Sequence, residues 1–376
     1  MLKKNLFILV YCLGSYAAQA QKIKTEVLVT GRENWAAALQ SAHSAVKTIF
    51  VYSPGSFPLG QINVNLSSGI TAELLKKANG NIGAAHSDVI IQKWLDSTKN
   101  LTLIQVQQAL VPTSSGSGWQ LRLDDGRTIK ARVSIMSKVV ASSPILIDYT
   151  QNLYRTSLVS GIFWQHENST ATFLNIQDFL DPEAENAVFV AVPEIQAAQA
   201  AGAIGAYAAF FKTKTNLSNL KRIQGELLGY KSALVPLADV VPADSSWRAI
   251  QNLSLMGVLK PVFKAGKLYF NPRQEVQVEE VKQPIKDLFY KAQIWFDDNS
   301  SGAMTLAKTI SLVCYVGNKS EASVRALLEK KWKTDFKNEG SLDYAKPMSR
   351  AAFSIIVNDY LKPADVTIDK TGRITR

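Results

Sequence analysis

Cysteine and histidine are scarce in this chain of 376 residues, which has two cysteines, Cys12 and Cys314, and three histidines, His43, His86 and His166. Cys12 falls in an apolar leader, so the body of the chain keeps one thiol, and one thiol cannot close an internal disulfide. Cys314, in a Leu-Val-Cys-Tyr setting, reads as a small buried hydrophobe. The histidines are far apart, with no cysteine or carboxylate at ligand spacing, which argues against a zinc site. His43 reads as a helix-surface residue. Residues Asp297 to Gly302 open like a calcium loop, but Lys308 stands where the bidentate acid belongs, so the stretch reads as a solvated turn. There is no Gly-x-Ser-x-Gly elbow and no Gly-x4-Gly-Lys phosphate loop. Asp148 and Tyr149 lie in an apolar setting that predicts burial with hydrogen bonding, and nothing forms an acid–base pair. No catalytic residue and no metal ligand is assigned.

Long hydrophobic runs are also missing. The longest near the start, Leu6 to Leu13, is too short to span a bilayer. It follows Lys3 and Lys4 and precedes Ala18-Gln19-Ala20, the pattern of a secretory signal over residues 1–20. A lipid-anchored reading fails because bulky Tyr11 precedes Cys12. The expected location is therefore periplasmic or secreted, with no membrane span after cleavage. Loss of Lys3 and Lys4 lowers the formal charge from +11 to +9. The basic residues are scattered, with small clusters such as Lys330, Lys331 and Lys333, so they read as a solvated basic surface and not as a nucleic-acid site. A protein or an anionic cell-envelope polymer remains as the expected class of partner. Hydrophobic residues at 47 % and charged residues at 19 % fit a folded globular chain.

What is present is organised around Glu26 to Tyr52. Val27, Leu28 and Val29 form a short apolar run that ends at Gly31. Trp35, Ala38, Leu39 and Ala42 follow at helical spacing, and Thr48 to Tyr52 is a second apolar run. Strand, tight turn, helix and strand within about 30 residues make a βαβ unit of the dinucleotide-binding kind. Residues 53–60 (SPGSFPLG) are turn-rich, 70–110 read as helices with polar joins in which Ile104 to Leu110 is mixed, and 111–117 read as a loop. Trp119 to Ile135 is a hairpin about Asp124-Asp125-Gly126. Residues 139–180 are apolar but irregular. A strand from Val188 then runs into Pro193 and a long Ala- and Gly-rich helix to Phe211, whose slight side chains allow close approach to a backbone or a ligand. Asn216 to Tyr230 predicts an amphipathic helix and Val240 to Ser246 a linker. From Trp247 the pattern is helix, glycine, short strand, Asn-Pro and helix. A looser unit spans Ala303 to Leu361, and a hairpin-like tail runs from Val366 to Ile374.

Three separated stretches together resemble the FAD-dependent oxidoreductase family with a glutathione-reductase-like nucleotide fold: the βαβ unit, Asp125 to Ile135, and Val192 to Ala209, whose Gln199, Ala200, Ala201 and Gly202 match the family's late helix against the flavin. The resemblance implies an α/β fold with a Rossmann-like FAD/NAD(P)-binding domain over residues 21–240, FAD as cofactor, and Gly31, Glu33, Ala36, Gln199, Ala201 and Gly202 as the cofactor-binding positions. Departures then imply that the flavin has been lost. Glu33 stands where the second glycine of the family's triplet lets the backbone approach a pyrophosphate. A like charge within about 5 Å of that group costs on the order of 3 kcal/mol at an effective dielectric near 20. Tyr52 replaces the acid expected for the ribose hydroxyls, and Met136-Ser137-Lys138-Val139 replaces an acidic-Ala-Thr-Gly turn.

Residues 241–376 read as a mainly helical C-terminal module that resembles surface-layer-homology repeats. The matching residues are Ser246 to Lys260 with Tyr269 to Pro272, and Pro347 to Phe353. Such repeats use a Thr-Arg-Ala-Glu motif on an anionic wall polymer. Ser349, Arg350 and Ala351 are kept but Ala352 replaces the acid, and Gln277-Val278-Glu279-Glu280 lacks the arginine. The expected function is a degenerate, non-catalytic binding or scaffold protein. The alternatives are a flavoenzyme with an atypical phosphate loop, or an envelope-polymer binder acting through the C-terminal module.

Overall fold

The computed structural model describes residues 22–138, 145–161, 171–336 and 340–375. The leader, Val139 and His166 lie outside them. The apolar runs on either side of Gly31 become β1 (Lys22–Thr30) and β2 (Thr48–Tyr52), joined by α1 (Trp35–His43). The first half of β1 is partly exposed and its last four residues are buried. β1 and β2 are parallel, with Val27 opposite Thr48 and Thr30 opposite Val51. Side chains alternate across the sheet as strand geometry requires. Val27, Val29, Phe50 and Tyr52 join the core on the helix side, whereas Leu28, Ile49 and Val51 join a second cluster with Val106, Leu121 and Leu123.

Two helices, α2 (Gly69–Lys77) and α3 (Ala84–Ser97), lead to β3 (Leu101–Gln105), which pairs parallel with β2. The helical reading of residues 70–110 thus gives way to a strand at its end, because Leu101–Gln105 lies beside an existing sheet edge and takes up its hydrogen bonds. The stretch read as a loop at 111–117 contains β4 (Thr113–Ser115), which extends the expected hairpin of β5 (Gly118–Arg122) and β6 (Thr128–Ser137). Gly126 takes the positive φ of 85° that the turn demands.

The irregular region holds β7 (Ile145–Leu146), β8 (Ser157–Gly161) and β9 (Thr172–Asn175) in a separate antiparallel sheet of order β7-β9-β8. β10 (Ala187–Val190) then pairs parallel with the C-terminal half of β6, whose N-terminal half pairs antiparallel with β5. The parallel part of the sheet is therefore β3-β2-β1-β6-β10, a Rossmann-like order. The fold is mixed α/β with a helical C-terminal region.

The Ala-rich helix is α4 (Ile195–Phe210), and it packs on α1 at very short range. A Cβ on Gly202 would lie 2.6 Å from the Ala37 carbonyl oxygen and 2.8 Å from the Gln40 Cβ. Ser41 Oγ donates to the Gly202 carbonyl at 3.1 Å across the same contact. The neighbour that the small side chains admit is thus a backbone. The amphipathic segment begins later than its sequence indicates: α5 spans Leu220–Gly229, and Asn219 caps it by accepting from Arg222 N at 3.1 Å.

Downstream, α6 (Trp247–Met256) stops at Gly257, which has a left-handed φ of 73°. A short hairpin follows, β11 (Val262–Lys264) and β12 (Lys267–Tyr269). Then come α7 (Val278–Leu288), α8 (Ala292–Asp298), α9 (Leu306–Gly317), α10 (Glu321–Asp335) and α11 (Arg350–Leu361). Three of these helices start from one cyclic set of backbone hydrogen bonds. Val276 N donates to Met348 O at 3.0 Å, Met348 N to Met304 O at 2.8 Å, and Met304 N to Val276 O at 2.9 Å. A second ring, running in the opposite sense, is made by Val278 N donating to Gly302 O, Leu306 N to Lys346 O, and Arg350 N to Gln274 O. Three segments are thus equivalent where the sequence displays two. Asp297 and Asp298 close α8, and Cys314 is half-buried on α9, its thiol pKa raised by burial. Asp148 accepts from Thr150 N at 2.8 Å, whereas the Tyr149 hydroxyl has no partner among the described residues.

Gly202→Ala should force α1 and α4 apart and lower stability by about 1–3 kcal/mol, the usual cost of overpacking. Gly225→Ala, on α5 with no atom within 4 Å of the new Cβ, should instead be neutral or stabilise by up to about 1 kcal/mol. Urea denaturation of both variants beside the parent checks the contrast.

Candidate functional site

Open parallel sheets bind ligands beyond the carboxyl ends of their strands, where the strand order reverses. Here that point lies between β1 and β6. Gly31 ends β1 with φ 90° and ψ 130°, a conformation that only glycine adopts readily. The chain then makes a single 3-10 turn, Arg32–Asn34, before α1. Asn34, fully buried, donates through Nδ2 to Thr30 O at 2.7 Å and to Ser137 Oγ at 2.9 Å, so it ties the ends of β1 and β6 together. The Ser137 hydroxyl in turn donates to the Glu33 carboxylate. Glu33 folds back over the turn, and a Cβ on Gly31 would lie 2.5 Å from its Oε1. The end of the β1–β6 crevice, beside the N-terminus of α1, thus holds a carboxylate of the chain itself. A helix N-terminus favours negative charge, and here Glu33 supplies it.

The β1–β2 side is filled in a different way. The Arg32 guanidinium lies 4.0 Å from the ring centre of Phe57 and 5.2 Å from that of Tyr52. Its Nη1 donates to Ser53 O at 3.3 Å. Phe57 comes from the turn-rich stretch after β2 and is buried against Trp35, with ring centres 6.5 Å apart. The stretch is pinned at two more points: Trp35 Nε1 donates to Pro58 O at 3.0 Å, and Phe57 N donates to Asp88 Oδ1 at 2.7 Å. Tyr52, at the end of β2, is buried, and its hydroxyl reaches Gln92 Oε1 at 3.5 Å. An arginine between two aromatic faces is a favourable cation–π arrangement.

Beyond β10, Glu194 precedes α4. Its Oε2 accepts from Gln61 N at 2.9 Å, so it holds the far end of the same turn-rich stretch. Burial raises its pKa to about 7, against the opposing effect of that hydrogen bond. Lys138, just after β6, is ion-paired with Asp181.

The six positions singled out from the sequence are not together in one cavity. Gly31 and Glu33 lie at the crevice. Ala36, Gln199 and Ala201 have no exposed surface, Gly202 is buried, and all four lie within the packing of α1 and α4. Gln199 Nε2 donates to Gln40 Oε1 at 2.9 Å, and its Oε1 accepts from Ile70 N at 3.0 Å. Both polar ends of this buried amide are thereby satisfied. His43 closes α1 half-buried, with its ring stacked on Tyr230 at 5.9 Å and its pKa lowered by burial. Arg32, Asn34, Phe57, Ser137 and Glu194 belong to the site but were not singled out. Phe57 had a signal in the sequence, as the one aromatic in a Pro-, Gly- and Ser-rich turn.

No family model and no curated protein matches the chain. Solved structures share its architecture in part. GidA from Aquifex aeolicus is similar over 31 % of this chain and 25 % of its own, at 14 % identity and TM-score 0.22. The p-nitrophenol 4-monooxygenase of Pseudomonas putida is similar over 32 % and 42 %, at 11 % identity and TM-score 0.22. The bacillithiol disulfide reductase of Staphylococcus aureus is similar over 31 % and 38 %, at 10 % identity and TM-score 0.23. The match spans less than half of each of these proteins, and likeness at this level carries no argument about activity.

Because the folded-state pKa of Glu194 lies above its unfolded value of 4.5, the folded chain holds the extra proton between pH 4.5 and about 7. Stability from this group is greatest below pH 4.5 and falls as pH rises through 7. At about 1.4 kcal/mol per tenfold change in the acid constant, the loss is at most about 3.5 kcal/mol. Glu194→Gln should flatten that part of the profile, as measured by denaturant unfolding at pH 5 and pH 8.

Proposed function

We propose that this chain is a degenerate relative of the FAD-dependent oxidoreductases that works outside the cytoplasm as a non-catalytic binding or scaffold protein. The observation that carries the reading is the Glu33 carboxylate folded over Gly31 and hydrogen-bonded to Ser137. In a flavin-binding relative, two phosphates would have to share this turn with a carboxylate. The second support is the Arg32, Tyr52 and Phe57 cluster at the end of β2, which occupies the side where a nucleotide sugar would lie. The residues present do not fit the flavin, so no reaction step is derived through it. The leader-like residues 1–20 support export.

A polymer-binding role through the C-terminal region gains nothing from its arginine. Arg350 is buried, ion-paired with Glu280, and donates through Nη2 to Lys260 O at 2.8 Å. Both of its terminal nitrogens are engaged by the chain's own atoms, and its Nε is buried.

The test is the visible absorption spectrum of the purified protein, recorded with and without added FAD, beside thermal unfolding in excess FAD. The expected result is a colourless protein whose melting temperature FAD does not change. A bound flavin spectrum would overturn the proposal and restore the flavoenzyme reading.

A further inference from the structure

A second concave site lies at the opposite end of α4 from Glu194. The C-terminal half of α4, the N-terminal half of α5, the turn after β9 and the segment around Asp365 to Lys370 enclose a cleft of about 1040 Å³. Lys221 lines it, half-buried. Its ε-amine has no carboxylate within 4.0 Å among the described residues, and its hydrogen-bond acceptor is the Met256 Sδ at 3.1 Å. A thioether is a weak acceptor and does little to stabilise an ammonium. We propose that Lys221 is a reactive amine that forms reversible imines with small aldehydes or ketones carrying an anionic group.

The surroundings of Lys221 favour the neutral amine. Burial is the largest influence, the Arg155 guanidinium adds repulsion, and the Asp365 carboxylate opposes both, leaving the pKa lowered to about 7. An appreciable fraction is then unprotonated at neutral pH, unlike an exposed lysine near 10.5. Other charges on the walls set the choice of ligand. Arg222, Arg248 and Lys370 line the cleft and form no ion pair among the described residues. The two remaining acids are engaged locally: Glu226 accepts from Ser44 Oγ at 2.8 Å, and Asp369 accepts from Thr371 N at 2.8 Å. The free positive charge suits a carboxylate or phosphate on the ligand. Tyr207, Phe210 and Phe211 form an aromatic wall, with both phenylalanines largely exposed, which suits a planar body.

The step balances without an oxidant or reductant. The nitrogen lone pair attacks the carbonyl carbon and forms a C–N bond, giving a carbinolamine as one amine proton passes to oxygen. Loss of the hydroxyl with the second amine proton releases water and leaves the imine. The inference is independent of the nucleotide crevice and stands whether or not FAD binds.

The experiment uses the full chain with pyridoxal 5′-phosphate as probe, reduction by borohydride, and peptide mapping by mass spectrometry. Lys221 should be labelled at least roughly tenfold faster than the mean of the other lysines, with a rate that rises through a midpoint near pH 7. Lys221→Met should remove that fast phase. Benzaldehyde, a planar carbonyl compound without the anion, should react more slowly at the same site. Labelling spread over exposed lysines, with Lys221 no faster than their mean, would overturn the proposal. Equal rates for the two probes would overturn its anionic part.

Discussion

The contact between Glu33 and Ser137 decides what the parallel sheet can do. It lies where the ends of β1 and β6 diverge, the position at which such a sheet offers backbone donors and a helix N-terminus to an anion. Glu33 places a carboxylate there, and Ser137 and Asn34 hold the surrounding turn. Any pyrophosphate would have to displace that carboxylate or tolerate it at close range. The repulsion is on the order of a few kcal/mol at a separation near 5 Å, comparable to a large part of a moderate binding free energy.

The rest of the sheet's edge is consistent with a closed crevice. Arg32 turns away from the β1–β6 end and lies on Phe57 and Tyr52, while Trp35 and Asp88 pin the chain that carries Phe57. Glu194 secures the same stretch through Gln61. Beneath these contacts, α1 and α4 approach closely enough that Gly202 has no room for a methyl group. The glycine and alanines that resemble a flavin-contacting helix therefore have a packing reason to be small. Below them, one apolar core continues into the C-terminal helices, where the three-way backbone ring sets the starts of α7, α9 and α11.

The elements with strong local patterns were legible in the sequence. The apolar runs around Gly31, the Asp-Gly hairpin and the Ala-rich helix each appear where periodicity and turn chemistry place them. β3, β4 and the β7–β9 sheet were not legible, because two- to five-residue strands depend on partners distant in sequence and carry little pattern of their own. Glu33 was legible as a departure from a glycine motif, and the structure adds the direction its side chain takes. The roles of Arg32, Phe57 and Ser137 arise from contacts across 21 to 104 positions of chain, which spacing alone does not encode. Gln199 illustrates the converse: a motif match whose side chain is used between Gln40 and Ile70.

The most direct test of the occupied crevice is calorimetric titration of ADP into the parent chain and into Glu33→Gly at low ionic strength, where charge repulsion is least screened. The account predicts no measurable binding to the parent at millimolar ADP, and any gain of affinity only in the variant. Micromolar binding to the parent that weakens when Glu33 is removed would contradict it.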